Sequence, residues 1–132
     1  MTGLETSELL VSKGNKVTVV EMADKIAPGA WFQQLDDALP VLEKAGTEFL
    51  TSHKLLSVSS SGIELENLKE NKAVAIKVDL VVLSLGVRSD NSLYNDIKSS
   101  DSYKVYNIGD SNKIGRIANA TESAYQLVMN IE

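Results

Sequence analysis

The chain has 132 residues, 43% hydrophobic and 23% charged, which is one domain's worth of sequence with an ordinary globular composition. A formal net charge of −5 and no basic stripe with interleaved aromatics argue against nucleic acid as a partner, and no apolar run approaches the ~20 residues of a membrane span. With no cysteine and a single histidine, these residues exclude a thiol nucleophile, a redox dithiol, an iron–sulfur cluster and a zinc site built on His or Cys.

The start, Met-Thr-Gly-Leu-Glu, lacks the charged and apolar regions of a secretory signal, so a cytoplasmic location is the default expectation. Leu4, Ser7, Leu10 and Val11 share one helical face from Gly3 onward, and Thr2 and Glu5 have the spacing of a capping box. Gly14 is placed to take the left-handed conformation that ends such a helix. Val17, Val19 and Val20 then form a β-branched run of the kind buried in a parallel sheet, closed by Glu21. A dinucleotide fold places an acid about 20 residues beyond its glycine fingerprint to hold the ribose hydroxyls, and Glu21 stands at about that interval after Gly3.

Pro28-Gly29 marks a loop, and Trp31 to Ala45 reads as a helix with Phe32, Leu35, Leu39 and Leu42 near 3.6 spacing. Pro40 should kink or split it, and Gly46 ends it. From Thr47 the pattern changes to short strands at 48–50, 55–58, 63–66 and 73–76, with turns at 59–62 and 67–71. Together they predict a small antiparallel meander. Val78 to Leu85 reads as a second strongly apolar strand closed by Gly86. A short helix is expected near 92–97, a strand at 103–108 ending in Gly109-Asp110, and a long amphipathic helix from Ile117 to Ile131.

His53 pairs with no Ser, Cys or acid by spacing and reads as a surface or packing residue. Asp36 and Asp37 are adjacent on a helix and do not share a face. Asp110 to Asn112 lacks the further ligands of a calcium loop. Gly109-Asp110 has another reading: a glycine after a strand lets a ligand approach the backbone, and the acid can accept bonds from sugar-like hydroxyls. A plain turn is the alternative.

Four ordered motifs carry a resemblance: Gly3-Leu-Glu-Thr-Ser-Glu-Leu-Leu, Val17-Thr-Val-Val-Glu-Met, Asp79-Leu-Val-Val-Leu-Ser-Leu-Gly-Val-Arg and Lys104-Val-Tyr-Asn-Ile-Gly-Asp. The tail Gly115-Arg-Ile-Ala-Asn-Ala supports them. Over essentially its whole length the chain resembles the C-terminal FAD/NAD(P)-binding module of the 2-enoate reductase and 2,4-dienoyl-CoA reductase family. These are NADH:flavin oxidoreductases with an old-yellow-enzyme-type barrel, whose second module is related to the pyridine nucleotide-disulfide oxidoreductases. The resemblance implies an α/β, Rossmann-like three-layer fold with a small antiparallel meander and without its first strand. Residues 1–99 would be most of the NAD(P)-binding domain, and 100–132 the returning segment of the FAD-binding domain. It implies NAD(H) and FAD as cofactors and partners, with FMN and an iron–sulfur cluster only on parts outside this chain.

The same resemblance gives Gly3 the place of the third fingerprint glycine and Glu5 an acidic position near the nicotinamide. Glu21 takes the place of the ribose acid, and Gly86 that of the glycine closing the last NAD-domain strand. Asp110, admitted by Gly109, would hold the ribityl or phosphate region of FAD, and the helix after Arg116 would aim its first amides at the flavin. No residue reads as catalytic, since hydride transfer belongs to the cofactors. A fragment of a longer reductase is expected, with self-association through unpaired strand edges. Two alternatives remain beside it: a nucleoside-binding, methyltransferase-like enzyme with an acid at the end of its second strand, and an interaction domain without catalysis.

Overall fold

The computed structural model describes residues 1–100 and 102–131, so Asp101, in the polar stretch after the short helix, and the terminal Glu132 lie outside the described residues. The chain forms two compact units, Met1–Ser84 and Leu85–Glu132.

The first unit opens with α1 (Thr2–Ser12), β1 (Thr18–Val20), α2 (Phe32–Lys44) and β2 (Glu48–Leu50). Both helices end in the same way. The Gly14 N–H donates to the Val11 carbonyl and Asn15 N–H to that of Leu10; Gly46 and Thr47 repeat the pattern on Glu43 and Leu42. Gly14 (φ 81°) and Gly46 (φ 77°) take the left-handed conformation this closure requires, and each turns the chain straight into a strand. β1 and β2 pair in parallel, Thr18 beside Glu48 and Val20 beside Leu50. α1 packs on α2, burying Leu4 from the first and Ala38 and Leu42 from the second. Ser7 is buried with them, its hydroxyl donating to the Gly3 carbonyl at 2.8 Å.

Next comes an antiparallel meander of β3 (His53–Ser59), β4 (Gly62–Asn67) and β5 (Lys72–Ile76), in that spatial order; the 48–50 strand, expected to belong to it, pairs in parallel with β1 instead. Leu65, fully buried in the central strand, faces Leu55 on one side and Val74 on the other. The β3–β4 register slips between Leu55 and Ser57, so Leu56 is the extra residue of a bulge and is exposed. Asn67 Oδ1 accepts from the amides of Lys69 and Glu70 and closes the β4–β5 turn.

Several expectations are corrected. The Thr2/Glu5 capping box does not form: Met1 occupies the N-cap, and its carbonyl takes the amides of Leu4 and Glu5. Pro40 does not split α2. It lies on the exposed face, where water can serve the Asp36 carbonyl that loses its amide partner. Val78–Leu85 and Tyr103–Ile108 are not paired strands. A ladder needs a neighbour, and among the described residues no strand runs beside either; Leu80, Leu83 and Leu85 are left exposed.

The second unit holds α3 (Ser92–Lys98), a single 3-10 turn at Gly109–Ser111 and α4 (Ile117–Asn130). The periodic α4 forms as expected, but none of its residues is fully buried; Ala124 and Leu127 are half-covered and Ile117 is 87% exposed. No helix among the described residues is long and apolar enough to cross a membrane.

Two predictions follow from this architecture. Gly62 has φ 134°, and a Cβ there would fall on the Ile76 carbonyl oxygen, part of the adjoining backbone. Gly62→Ala should therefore lower stability by about 2 kcal/mol or more, read as a reduced urea midpoint at unchanged m-value. At the start of α3, Asp90 Oδ1 accepts from both the hydroxyl (2.7 Å) and the amide (3.0 Å) of Ser92, which holds the carboxyl below its ordinary pKa. A pKa lowered by folding gives stabilisation that is complete above the unfolded value and fades as pH falls through the folded one. NMR titration should show Asp90 protonating below the usual aspartate range, and Ser92→Ala should raise that midpoint.

Candidate functional site

In the first unit, chemistry gathers where β1 ends. Three backbone bonds tie this exit to the segment after β2: Glu21 N–H to the Leu50 carbonyl (2.9 Å), His53 N–H to that of Glu21 (3.0 Å) and Ser52 N–H to that of Ala23 (2.8 Å). Ser52, buried and at φ 56°, turns the chain sharply enough to make the last two. The Glu21 side chain is half-buried, and its Oε1 accepts the Ala23 amide at 3.0 Å. That bond orients the carboxylate and leaves Oε2 without a hydrogen bond among the described residues. A fixed carboxylate with a spare oxygen at the carboxyl end of a parallel strand suits a pair of sugar hydroxyls.

Gly3 sits in the first turn of α1. A Cβ added to it would lie 3.2 Å from the Ser84 Cβ and 3.3 Å from its hydroxyl, so the helix start and the end of the apolar 78–85 run approach to glycine distance. Glu5, two residues further along α1, is exposed, and its side chain joins no other candidate residue in a hydrogen bond or ion pair among the described residues.

In the second unit, Gly109 (φ 66°) opens the 3-10 turn, and Asp110 Oδ1 accepts the Gly115 amide at 3.2 Å. The Arg116 N–H donates to Asn119 Oδ1 at 2.9 Å, so Asn119 closes the first turn of α4. Gly109, Asp110 and Arg116 are thus brought together at the start of that helix. An open cleft of about 500 Å³ adjoins Gly109, lined also by Lys113, Asn119 and Glu122 among others but not by Asp110 or Arg116. Asp110 is exposed, and Oδ2 remains for a ligand. Gly86 (φ 79°) stands apart from this group, with nothing within 4 Å of where its Cβ would be.

Three participants escaped the sequence reading. Ser84 and His53 lie far in sequence from the residues they meet, and no local signal pairs them. Asn119 had one: an amide side chain three residues after the residue preceding a helix is a capping pattern. No group of three or more His, Cys, Asp or Glu that could hold a metal occurs among the described residues.

A parallel strand pair carrying helices, followed by an antiparallel meander, makes this a mixed α/β protein of the Rossmann-like class. The family model described as pyridine nucleotide-disulphide oxidoreductase matches residues 1–124. Among curated proteins, the bilirubin reductase of Mediterraneibacter gnavus (strain CC55_001C) is 37% identical over 67% of this chain and 13% of its own length. The NADH oxidase of Thermoanaerobacter brockii is 30% identical over 99% of this chain and 20% of its own. A solved 2-naphthoyl-CoA reductase complex shares the fold with a TM-score of 0.73, at 22% identity over 98% of this chain and 19% of that one. The chain belongs to the pyridine nucleotide-disulphide oxidoreductase family, flavoproteins that bind FAD and NAD(P). Its relatives include reductases of the enoate reductase, old-yellow-enzyme type. It spans 13% to 20% of the length of the two curated relatives described.

The Gly3–Ser84 contact yields a test that needs no ligand. Gly3→Val should destabilise the chain, and Ser84→Gly in the same molecule should recover part of the loss. Thermal melts of the single and double variants would measure a coupling of about 0.5 kcal/mol or more if the two positions meet.

Proposed function

We propose that this chain carries cofactor-binding parts of a flavin-dependent oxidoreductase in which electrons pass from NADH through FAD towards an enoate- or enoyl-type reductase centre. On this reading the given residues are a segment of a longer reductase. Residues 1–99 supply most of the NAD(P)-binding domain and residues 100–132 the returning segment of the FAD-binding domain. The observation that carries the reading is the half-buried Glu21 carboxylate, oriented by the Ala23 amide at the end of β1.

When bound, the nicotinamide and the flavin supply the hydride and electron chemistry. The chain's own residues bind and orient. Glu21 accepts bonds from the ribose hydroxyls, and Gly3 sets the start of α1 close to the apolar run. Glu5 takes an acidic position near the nicotinamide, and Gly86 ends the apolar run beside the cofactor. Gly109 lets the flavin's chain approach the backbone, Asp110 accepts from it, and the α4 amides that follow Arg116 favour negative charge there. The family match takes the chain out of the transferase class that an acid at the end of a strand also allows.

Glu21 should prefer NADH. A 2′-phosphate removes one hydroxyl donor and sets negative charge against the carboxylate, and the following Met22, Ala23 and Asp24 offer no arginine to receive it, Lys25 being the nearest cation in sequence. Hydrogen bonds to charged groups are worth about 1.5–3 kcal/mol, or roughly one to two decades in affinity. Glu21→Ala should weaken NADH by about tenfold or more and narrow the NADH/NADPH ratio, measured by NMR titration of the chain with each nucleotide. Equal affinity of the wild type for both, unchanged in the variant, would remove the ribose assignment.

A further inference from the structure

His53 reads from the sequence as a surface or packing residue, yet its place in the fold is specific. It is the first residue of β3, half-buried, and its amide donates to the carbonyl of Glu21 itself. The ring is also fixed: Nδ1 lies 2.7 Å from the Thr51 carbonyl oxygen. A carbonyl oxygen can only accept, so Nδ1 carries the hydrogen, and in the uncharged ring Nε2 presents a lone pair. Nε2 has no hydrogen bond among the described residues. The strand exit therefore carries two acceptors, the Glu21 carboxylate and an imidazole nitrogen of set tautomer, on segments bonded to each other through the backbone.

We propose that His53 Nε2 is a second recognition point for the nucleotide. It would accept a hydrogen bond from an N–H or O–H donor on the adenosine end and so select for a nucleoside that offers one. This rests on the reading of Glu21 as the ribose acid. The placement favours it. α1, whose start is the phosphate side on that reading, packs on α2, whereas β3 packs on β1 and its first residue bonds the Glu21 carbonyl. A ribose held at Glu21 with its 5′-phosphate towards α1 directs its base and remaining hydroxyl away from that helix. Two donors answer the chemistry, the exocyclic amine of adenine and a ribose hydroxyl.

The test is NMR titration of the 132-residue chain with NADH, following the Glu21 and Ala23 amides and the His53 ring nitrogens. In the wild type both amides and Nε2 should shift on the same binding curve. His53→Phe should weaken NADH by about three- to tenfold, the worth of one ordinary hydrogen bond. His53→Gln, whose amide oxygen can accept in place of Nε2, should stay close to wild type. With the hypoxanthine analogue of NADH, the Phe variant's deficit vanishes if the adenine amine is the donor. With the 2′- or 3′-deoxy analogue it vanishes if a hydroxyl is. A deficit that persists with every analogue marks a purely structural effect and overturns the proposal. So does a Phe variant that binds NADH like wild type while Glu21 and Ala23 still respond. Silence of those two amides in the wild type overturns the ribose reading along with it.

Discussion

The backbone bonds between the end of β1 and the segment after β2 are the constraint on which the first unit depends. Each of β1 and β2 is only three residues long, too short to hold position by its own ladder. The bonds from Glu21 to Leu50, from His53 to Glu21 and from Ser52 to Ala23 continue the pairing past the strands and around a left-handed turn. They satisfy polar groups that would otherwise be left unpaired near the core, at a cost of a few kcal/mol each. They also join the parallel pair to the meander, because His53 is at once the last link of the exit and the first residue of β3. A carboxylate placed at this junction inherits its rigidity. Glu21 can therefore present one oxygen outward while the other is held by Ala23.

A second constraint is the absence of a side chain at Gly3. Helix α1 meets Ser84 closely enough that even one methyl group must displace its neighbour. The helix axis and the apolar 78–85 run are thus set by what is missing from residue 3. α1 owes its other end to the Gly14 closure, and its buried face to Leu4 and Ser7. The helix is fixed at both ends and along one side, which is the condition under which its first amides become a defined feature rather than a frayed terminus.

The second unit is built more lightly. The Asp110 bond to Gly115 and the Asn119 bond to Arg116 organise the loop leading into α4, and the helix carries its apolar stripe without fully burying any residue. Its stability within these residues is therefore local, coming from capping and intrahelical bonds more than from packing. Exposed Leu80, Leu83 and Leu85 tell the same story for the run that precedes it.

The sequence by itself determined what depends on neighbours along the chain. The 3.6-residue periodicity of α1, α2 and α4, the glycine closures at Gly14 and Gly46, and the alternation of the meander and its turns all rest on interactions between residues near in sequence. Only the tertiary structure decided what depends on residues meeting across the fold. Val78–Leu85 has every mark of a strand, but a strand exists only with a hydrogen-bonding partner, and none among the described residues runs beside it. Thr2 and Glu5 have capping-box spacing, but Met1 is the N-cap and its carbonyl takes the amides of Leu4 and Glu5. Pro40 was tolerated because the face it lies on is wet. His53 beside Glu21 and Ser84 against Gly3 were invisible in one dimension, since 32 and 81 positions of chain separate partners that touch only when the sheet and helices close around them.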